Sequence, residues 1–158
     1  MKKIEDIQDY CIKNLKDTVL TETWGEKAVF YNPGNILKKG VYILTIKEKD
    51  GENDKASGLN RKNIFRVNLS LRKETFLKLF GEIPDRPAAG KTVNMNYDFK
   101  KTDEILPHPV YAWMGWISIL NPSYKTSDTI IPFINEAYDF AKEKFQRNYS
   151  KILKKNST

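Results

Sequence analysis

The stretch Ile64-Phe65-Arg66-Val67-Asn68-Leu69 places Phe65, Val67 and Leu69 on one side of an extended chain and Arg66 and Asn68 on the other. This alternation predicts a strand with one face against a core and one face carrying a guanidinium and an amide. Upstream, residues 41–48 form a β-branched run and predict a second strand. Two shorter strands are expected at 19–23 and 28–31, around the turn Trp24-Gly25-Glu26, before the loop signal Asn32-Pro33-Gly34-Asn35. Downstream, residues 110–120 are apolar on both faces, which predicts a long central strand ended by Asn121-Pro122.

Helices flank these strands. Ile4, Ile7, Cys11, Ile12 and Leu15 follow helical spacing and predict a helix over 3–16. Residues 73–80 predict a short helix stopped by Gly81. Ile130, Phe133, Ile134, Ala137 and Ala141 form the apolar stripe of a last helix, with Asp128 or Thr129 as its cap and Pro132 in its first turn. Between them, residues 82–109 contain four prolines, and a short strand or turn near 93–95 and a helical turn near 103–106 are expected there. Short connections between most strands make the expected fold α+β, with a mostly antiparallel sheet and helices packed on one side. One domain is expected over 1–148, with a basic tail at 149–158.

The bulk composition narrows the class. With 158 residues, 12% aromatic and 30% charged, the chain can bury a core without a staple. Cys11 is the only cysteine, which excludes an internal disulfide and points to a reducing, cytoplasmic setting. The sequence has no apolar run of membrane-spanning length, and acids follow the first two lysines, so neither a membrane span nor a signal peptide is expected. The net charge of +7 is concentrated at one end. Five cations and no acid lie between Lys144 and Thr158, which leaves 22 cations against 20 acids over 1–143. The excess reads first as solvated lysines complementing the negative end of a helix dipole.

Few residues stand out as chemistry. His108, the only histidine, sits in Pro107-His108-Pro109, where both prolines hold the backbone extended. It reads as a base or ligand, or as an imidazole bonded to backbone at a strand entry. Asp50, Glu52, Asn53 and Asp54 crowd one loop with oxygens. The spacing is not that of an EF-hand, and no metal or cofactor is expected. Arg66 and Asn68 share one strand face. Tyr111 and Trp113 share a face of the predicted later strand, and if the two faces coincide they suit a planar or anionic ligand. The expected site is therefore Arg66, His108, Tyr111 and Trp113, with Asp50, Asn53 and Asp54 nearby. Nucleotide-binding glycine motifs, HExxH and GxSxG are absent from the sequence.

Several motifs resemble those of a bacterial family of uncharacterised proteins. They are Val41-Tyr42-Ile43-Leu44-Thr45-Ile46-Lys47-Glu48-Lys49-Asp50-Gly51-Glu52-Asn53-Asp54-Lys55-Ala56-Ser57, then Phe65-Arg66-Val67-Asn68, Leu79-Phe80-Gly81 and Arg86-Pro87-Ala88-Ala89-Gly90. His108-Pro109-Val110-Tyr111-Ala112-Trp113-Met114-Gly115-Trp116 and Leu120-Asn121-Pro122-Ser123 complete the set. The resemblance spans roughly residues 24–145 and implies no activity. The element order is also similar, more distantly, to MmcQ/YjbR proteins, whose last helix Glu136-Ala137-Tyr138 resembles. Trp113 here follows His108 by five residues, where that family has them adjacent. This likeness implies DNA binding on fold alone. Arg61, Arg66 and the tail would then supply phosphate contacts, and the near-neutral body implies weak binding. Four readings follow: a small-molecule binding module, a hydrolytic enzyme using His108 with Asp50, Asp54 or Asp98, a weak DNA-binding protein, or a structural or interaction protein with no pocket.

Overall fold

The computed structural model describes residues 3–23 and 25–156. In chain order the elements are α1 (Ile4–Asn14), β1 (Thr18–Thr23), β2 (Glu26–Tyr31), β3 (Val41–Lys47), β4 (Arg66–Ser70), α2 (Lys73–Phe80), β5 (Leu106–Pro107), β6 (Trp116–Leu120) and α3 (Tyr124–Asn156). Single 3₁₀ turns occupy Pro33–Asn35 and Ala112–Met114. The strands form one antiparallel sheet in the order β1-β2-β3-β4-β6-β5. The architecture is α+β, with a six-stranded antiparallel sheet and three helices.

The alternation in β4 divides the molecule. Val67 and Leu69 lie with Val29, Leu44, Ile46, Ile117 and Ile119 in a buried cluster that includes the apolar stripes of the helices: Ile7 and Cys11, Phe76, and Ile130, Ile134, Ala137 and Ala141. Phe133, expected in that stripe, is only partly buried. The helices also touch one another. Tyr10 of α1 donates its hydroxyl to Asn135 of α3, and Thr75 of α2 donates to Glu136. The opposite face of the central strands is buried but polar. Thr45, Asn68 and Ser118 stand in register across β3, β4 and β6, and the Asn68 amide donates to the Thr45 hydroxyl at 3.0 Å.

Several boundaries depart from the sequence reading for physical reasons. The expected strand over 110–120 is only five residues long. Before it, residues 112–114 form a 3₁₀ turn that ends at Gly115, whose φ is 92°. A Cβ at Gly115 would meet the Leu71 carbonyl oxygen at 2.7 Å, so the close approach of β6 to the α2 entrance requires glycine. α3 starts four residues before the expected cap. Ser123 occupies the capping position, its Oγ accepting from the Thr126 N–H at 3.4 Å while its own N–H donates to Asp103. Pro132 consequently lies well inside the helix, on an exposed position, four residues after Asp128, which is also exposed. Residues 149–156, expected as a tail, continue α3, and the Tyr149 ring stacks on Phe145.

In the proline-rich segment the turn expected at 93–95 forms, with the Met95 N–H donating to the Val93 carbonyl at 2.9 Å, but no helical turn forms at 103–106. Val93 and Phe99 anchor the segment in the core, the Val93 N–H bonds to the Pro109 carbonyl at 2.8 Å, and the regular pairing is β5 on the sheet edge. Register within the sheet is also irregular at one point. Val29 pairs with Leu44 but Phe30 pairs with Tyr42, so Ile43 is an extra residue in a β-bulge.

Gly115 generates the first prediction. Gly115→Ala should lower stability by about 1–3 kcal/mol from backbone conformation alone, and by more once the Leu71 contact is added. Urea denaturation measures it, and an unchanged midpoint would refute the close-approach account.

Candidate functional site

The site begins with a charge that β4 buries. Arg66 is on the polar face of the strand and is 0% exposed. Such a group must be paired and hydrogen-bonded to be tolerated. Its Nη1 donates to Asp54 at 3.0 Å and to Ser57 at 2.8 Å, Nη2 donates to Asp54 at 2.5 Å, and Nε donates to Asn68 at 2.7 Å. The fork is bidentate on the carboxylate. Burial pushes the Asp54 carboxyl up, but the hydrogen bond and charge of Arg66 outweigh it and hold it below its ordinary range. The 50–62 loop supplies Asp54 and Ser57 because it is itself organised. The Asp50 carboxylate accepts from the Leu59 N–H at 2.7 Å, and the Asp50 N–H donates to Asn60.

His108 lies across Arg66, 2% exposed. Its Nδ1 accepts from the N–H groups of both Val110 and Tyr111 at 3.0 Å. A nitrogen accepting two amide protons carries none of its own, so the neutral ring must hold its proton on Nε2. Burial first, and then the Arg66 charge, lower the His108 pKa well below the ordinary 6.5. The ring is therefore a neutral Nε2–H donor. Nε2 faces Arg66 Nη2 at 3.4 Å, and a guanidinium has no lone pair to offer. Among the described residues, Nη2 has Asp54 as its acceptor, whereas the Nε2 proton faces only the guanidinium.

These donors border an open cavity of about 390 Å³. Thr45, Lys47, Asn53, Asp54, Tyr42, Tyr111, Met114 and Trp116 complete most of its wall. Tyr42 and Thr45, three positions apart, both reach it because of the bulge at Ile43. Around the cavity, the His108 ring lies 5.0 Å from Tyr111 and 6.3 Å from Trp116, and Trp116 lies 6.0 Å from Tyr42. Lys47 makes no ion pair within 4.0 Å among the described residues.

Of the residues expected from sequence, Arg66, His108, Tyr111, Asn53 and Asp54 meet at this cavity. Two do not. Asp50 is a loop organiser outside the wall. Trp113, on the 3₁₀ turn and not on a strand, lines an adjoining cleft with Arg86. Tyr42, Thr45, Lys47, Ser57 and Trp116 were not legible as site residues. Ser57 and Lys47 lie within the first quoted motif, but nothing in their spacing marks them. Among the described residues, no group of three or more His, Cys, Asp or Glu side chains is placed to hold a metal ion.

The fold and this cavity define a small α+β protein with a buried Arg–Asp pair beside a neutral histidine. The chain belongs to a family of unknown function (DUF6194), which it matches over residues 1–150. No curated protein and no solved structure matches it.

Two predictions test this geometry. Arg66→Met strands a buried carboxylate and Asp54→Asn strands a buried guanidinium. Each should cost about 3–5 kcal/mol in chemical denaturation, and the double variant should recover a large part of the loss. Additive losses would refute the pair. The second concerns pH. The unfolded chain protonates His108 below about 6.5 while the folded protein holds it neutral, so stability falls as pH drops below that value. Asp54 adds a further loss below about 4, where only the unfolded carboxylate takes a proton. Nitrogen-15 NMR of the single histidine should report the Nε2–H tautomer unchanged from neutral to mildly acidic pH. A ring that titrates near its ordinary value would refute the assignment.

Proposed function

We propose that this protein is a small-molecule binding module whose cavity takes an organic carboxylate on a flat, apolar body. The observation that supports this most is that the His108 Nε2 proton has no protein acceptor and lies 3.4 Å from Arg66 Nη2, both residues lining the cavity. A carboxylate oxygen would accept from both, and the unpaired Lys47 ammonium on the same wall would balance its charge. Tyr42, Tyr111 and Trp116 would face the apolar part. Arg66 in this reading is a framework group first, since its removal costs stability, and Asn53 and Tyr111 are the exposed rim.

The hydrolytic reading has less support. A base needs a free lone pair, and His108 has spent one on two amides and holds a proton on the other nitrogen. Its carboxylate partners are committed elsewhere: Asp54 to Arg66, Asp50 to Leu59, and Asp98 to the Lys100 N–H. Weak DNA binding has the MmcQ/YjbR likeness behind it. The shared helix–strands–helix–strand–helix order supports that likeness at the level of layout. Arg66 is too enclosed to contact a phosphate backbone, and Arg61 is bonded to the carbonyls of Ser57, Gly58 and Lys100. That leaves the cations of α3. A cytoplasmic setting is part of the same proposal. It rests on the lone Cys11 thiol, which burial pushes up to about 12 and keeps unreactive. Among the described residues, no helix is long and apolar enough to cross a membrane.

Benzoate is the probe. It should raise the melting temperature of the protein in proportion to occupancy, and benzyl alcohol should not. Lys47→Met, which leaves no buried partner stranded, should weaken benzoate about tenfold, the size of one lost charge-assisted contact. Equal stabilisation by benzoate and benzyl alcohol, or none by either, would overturn the carboxylate reading.

A further inference from the structure

The cavity does not end at Tyr111. A second cleft of about 240 Å³ shares Asn53, Val110 and Tyr111 with the first, and Arg86, Pro87 and Trp113 close its far side. Tyr111 is 45% exposed and stands in the wall of both spaces. On the far side the Arg86 guanidinium lies over the Trp113 ring, 5.0 Å from its centre. Among the described residues, Arg86 has no acid within 4.0 Å. This differs from Arg66, whose charge Asp54 cancels. An indole face holds a guanidinium in place by attraction to its π-cloud while leaving the in-plane N–H groups free. That combination, an oriented and unneutralised fork in a cleft that shares a wall with the first cavity, is what a second anionic group needs.

We infer that the ligand carries two acidic groups joined through an aromatic or extended apolar segment, one held between Arg66, His108 and Lys47 and the other on Arg86. This rests on the carboxylate reading of the first cavity and goes beyond it by naming the second contact. The groove has another basic neighbour, lined by Lys55, Lys91 and Lys100. Those ammonium groups lie on flexible stems without an aromatic platform, so Arg86 is the better-fixed partner.

The sequence has three tryptophans, two of which report separately. Trp116 borders the first cavity and Trp113 the second. The protein is prepared with 5-fluorotryptophan, and its fluorine resonances are assigned with Trp113→Phe and Trp116→Phe. It is then titrated with benzoate and with benzoates bearing a second carboxylate on a para chain of increasing length. Benzoate should shift Trp116 and leave Trp113 still. The best-fitting diacid should shift both and bind about tenfold more tightly or better, the worth of one charge-assisted contact. Arg86→Gln should erase that advantage and the Trp113 shift. If every diacid binds like benzoate with Trp113 unmoved, or if the advantage survives Arg86→Gln, the two-headed inference is wrong while the first-cavity reading stands. If neither benzoate nor any diacid moves Trp116, the first-cavity reading fails and takes the inference with it.

Discussion

The structure depends on one buried guanidinium. Placing Arg66 at the start of a central strand commits the fold to finding partners for most of its N–H groups, because an unpaired charge there would cost several kcal/mol. β4 itself supplies one through Asn68, two residues along on the same face. The rest come from a segment that has no reason of its own to cross the sheet. The 50–62 loop carries Asp54 and Ser57 over the polar face, and its internal bonds through Asp50 fix where those two groups arrive. The loop is thus tied to the strand by its acid, and the wall of the cavity is a consequence of satisfying Arg66.

That arrangement gives the two faces of the sheet separate roles. The helices cover the apolar face and leave the polar one to loops. A polar row across three strands would be a liability under a helix, but beneath loops its groups bond to one another and to whatever enters. Two local irregularities then shape the opening. The extra residue at Ile43 turns both Tyr42 and Thr45 to the same side, and Gly115 lets the chain double back so that Trp116 starts a strand immediately after a 3₁₀ turn. Without either, the aromatic side of the cavity would be missing or would face the core.

Much of this was written in periodicity. The strand pattern at 64–69, the helical stripes and the terminator Gly81 follow from side-chain direction and backbone preference, which are local properties. The opposition of Arg66 to Val67 and Leu69 was equally legible, and so was the crowding of acids at 50–54. The run 110–120 misled because apolar content alone does not separate a strand from a buried turn. The signal that decides it is Gly115, and its meaning depends on Leu71, far away in sequence. For the same reason Trp113 was assigned to the wrong face. Asp50 and Asp54 were indistinguishable as letters, since which carboxylate meets the arginine and which ties the loop is settled by tertiary distance. Lys47 and Tyr42 read as ordinary strand residues until a bulge and a facing loop gave them a cavity.

His108 shows how local sequence can set chemistry without acting as an acid or base. Pro109 lacks an N–H, so the first two amides available to turn back onto the ring are those of Val110 and Tyr111, and both do. That turn fixes the tautomer. Burial and the neighbouring Arg66 then remove the alternative of protonation. The outcome is a hydrogen-bond donor whose direction and charge are constant across the pH range in which a free histidine would switch. A residue prepared in this way is poorly suited to shuttling protons, because each transfer would undo one of the bonds that hold it. It is well suited to recognising an oxygen. Two fixed donors meet there, one cationic fork already paired with Asp54 and one neutral ring. Together they favour an acceptor that brings negative charge but not a strong demand for full compensation, which is the electrostatic description of a carboxylate beside Lys47.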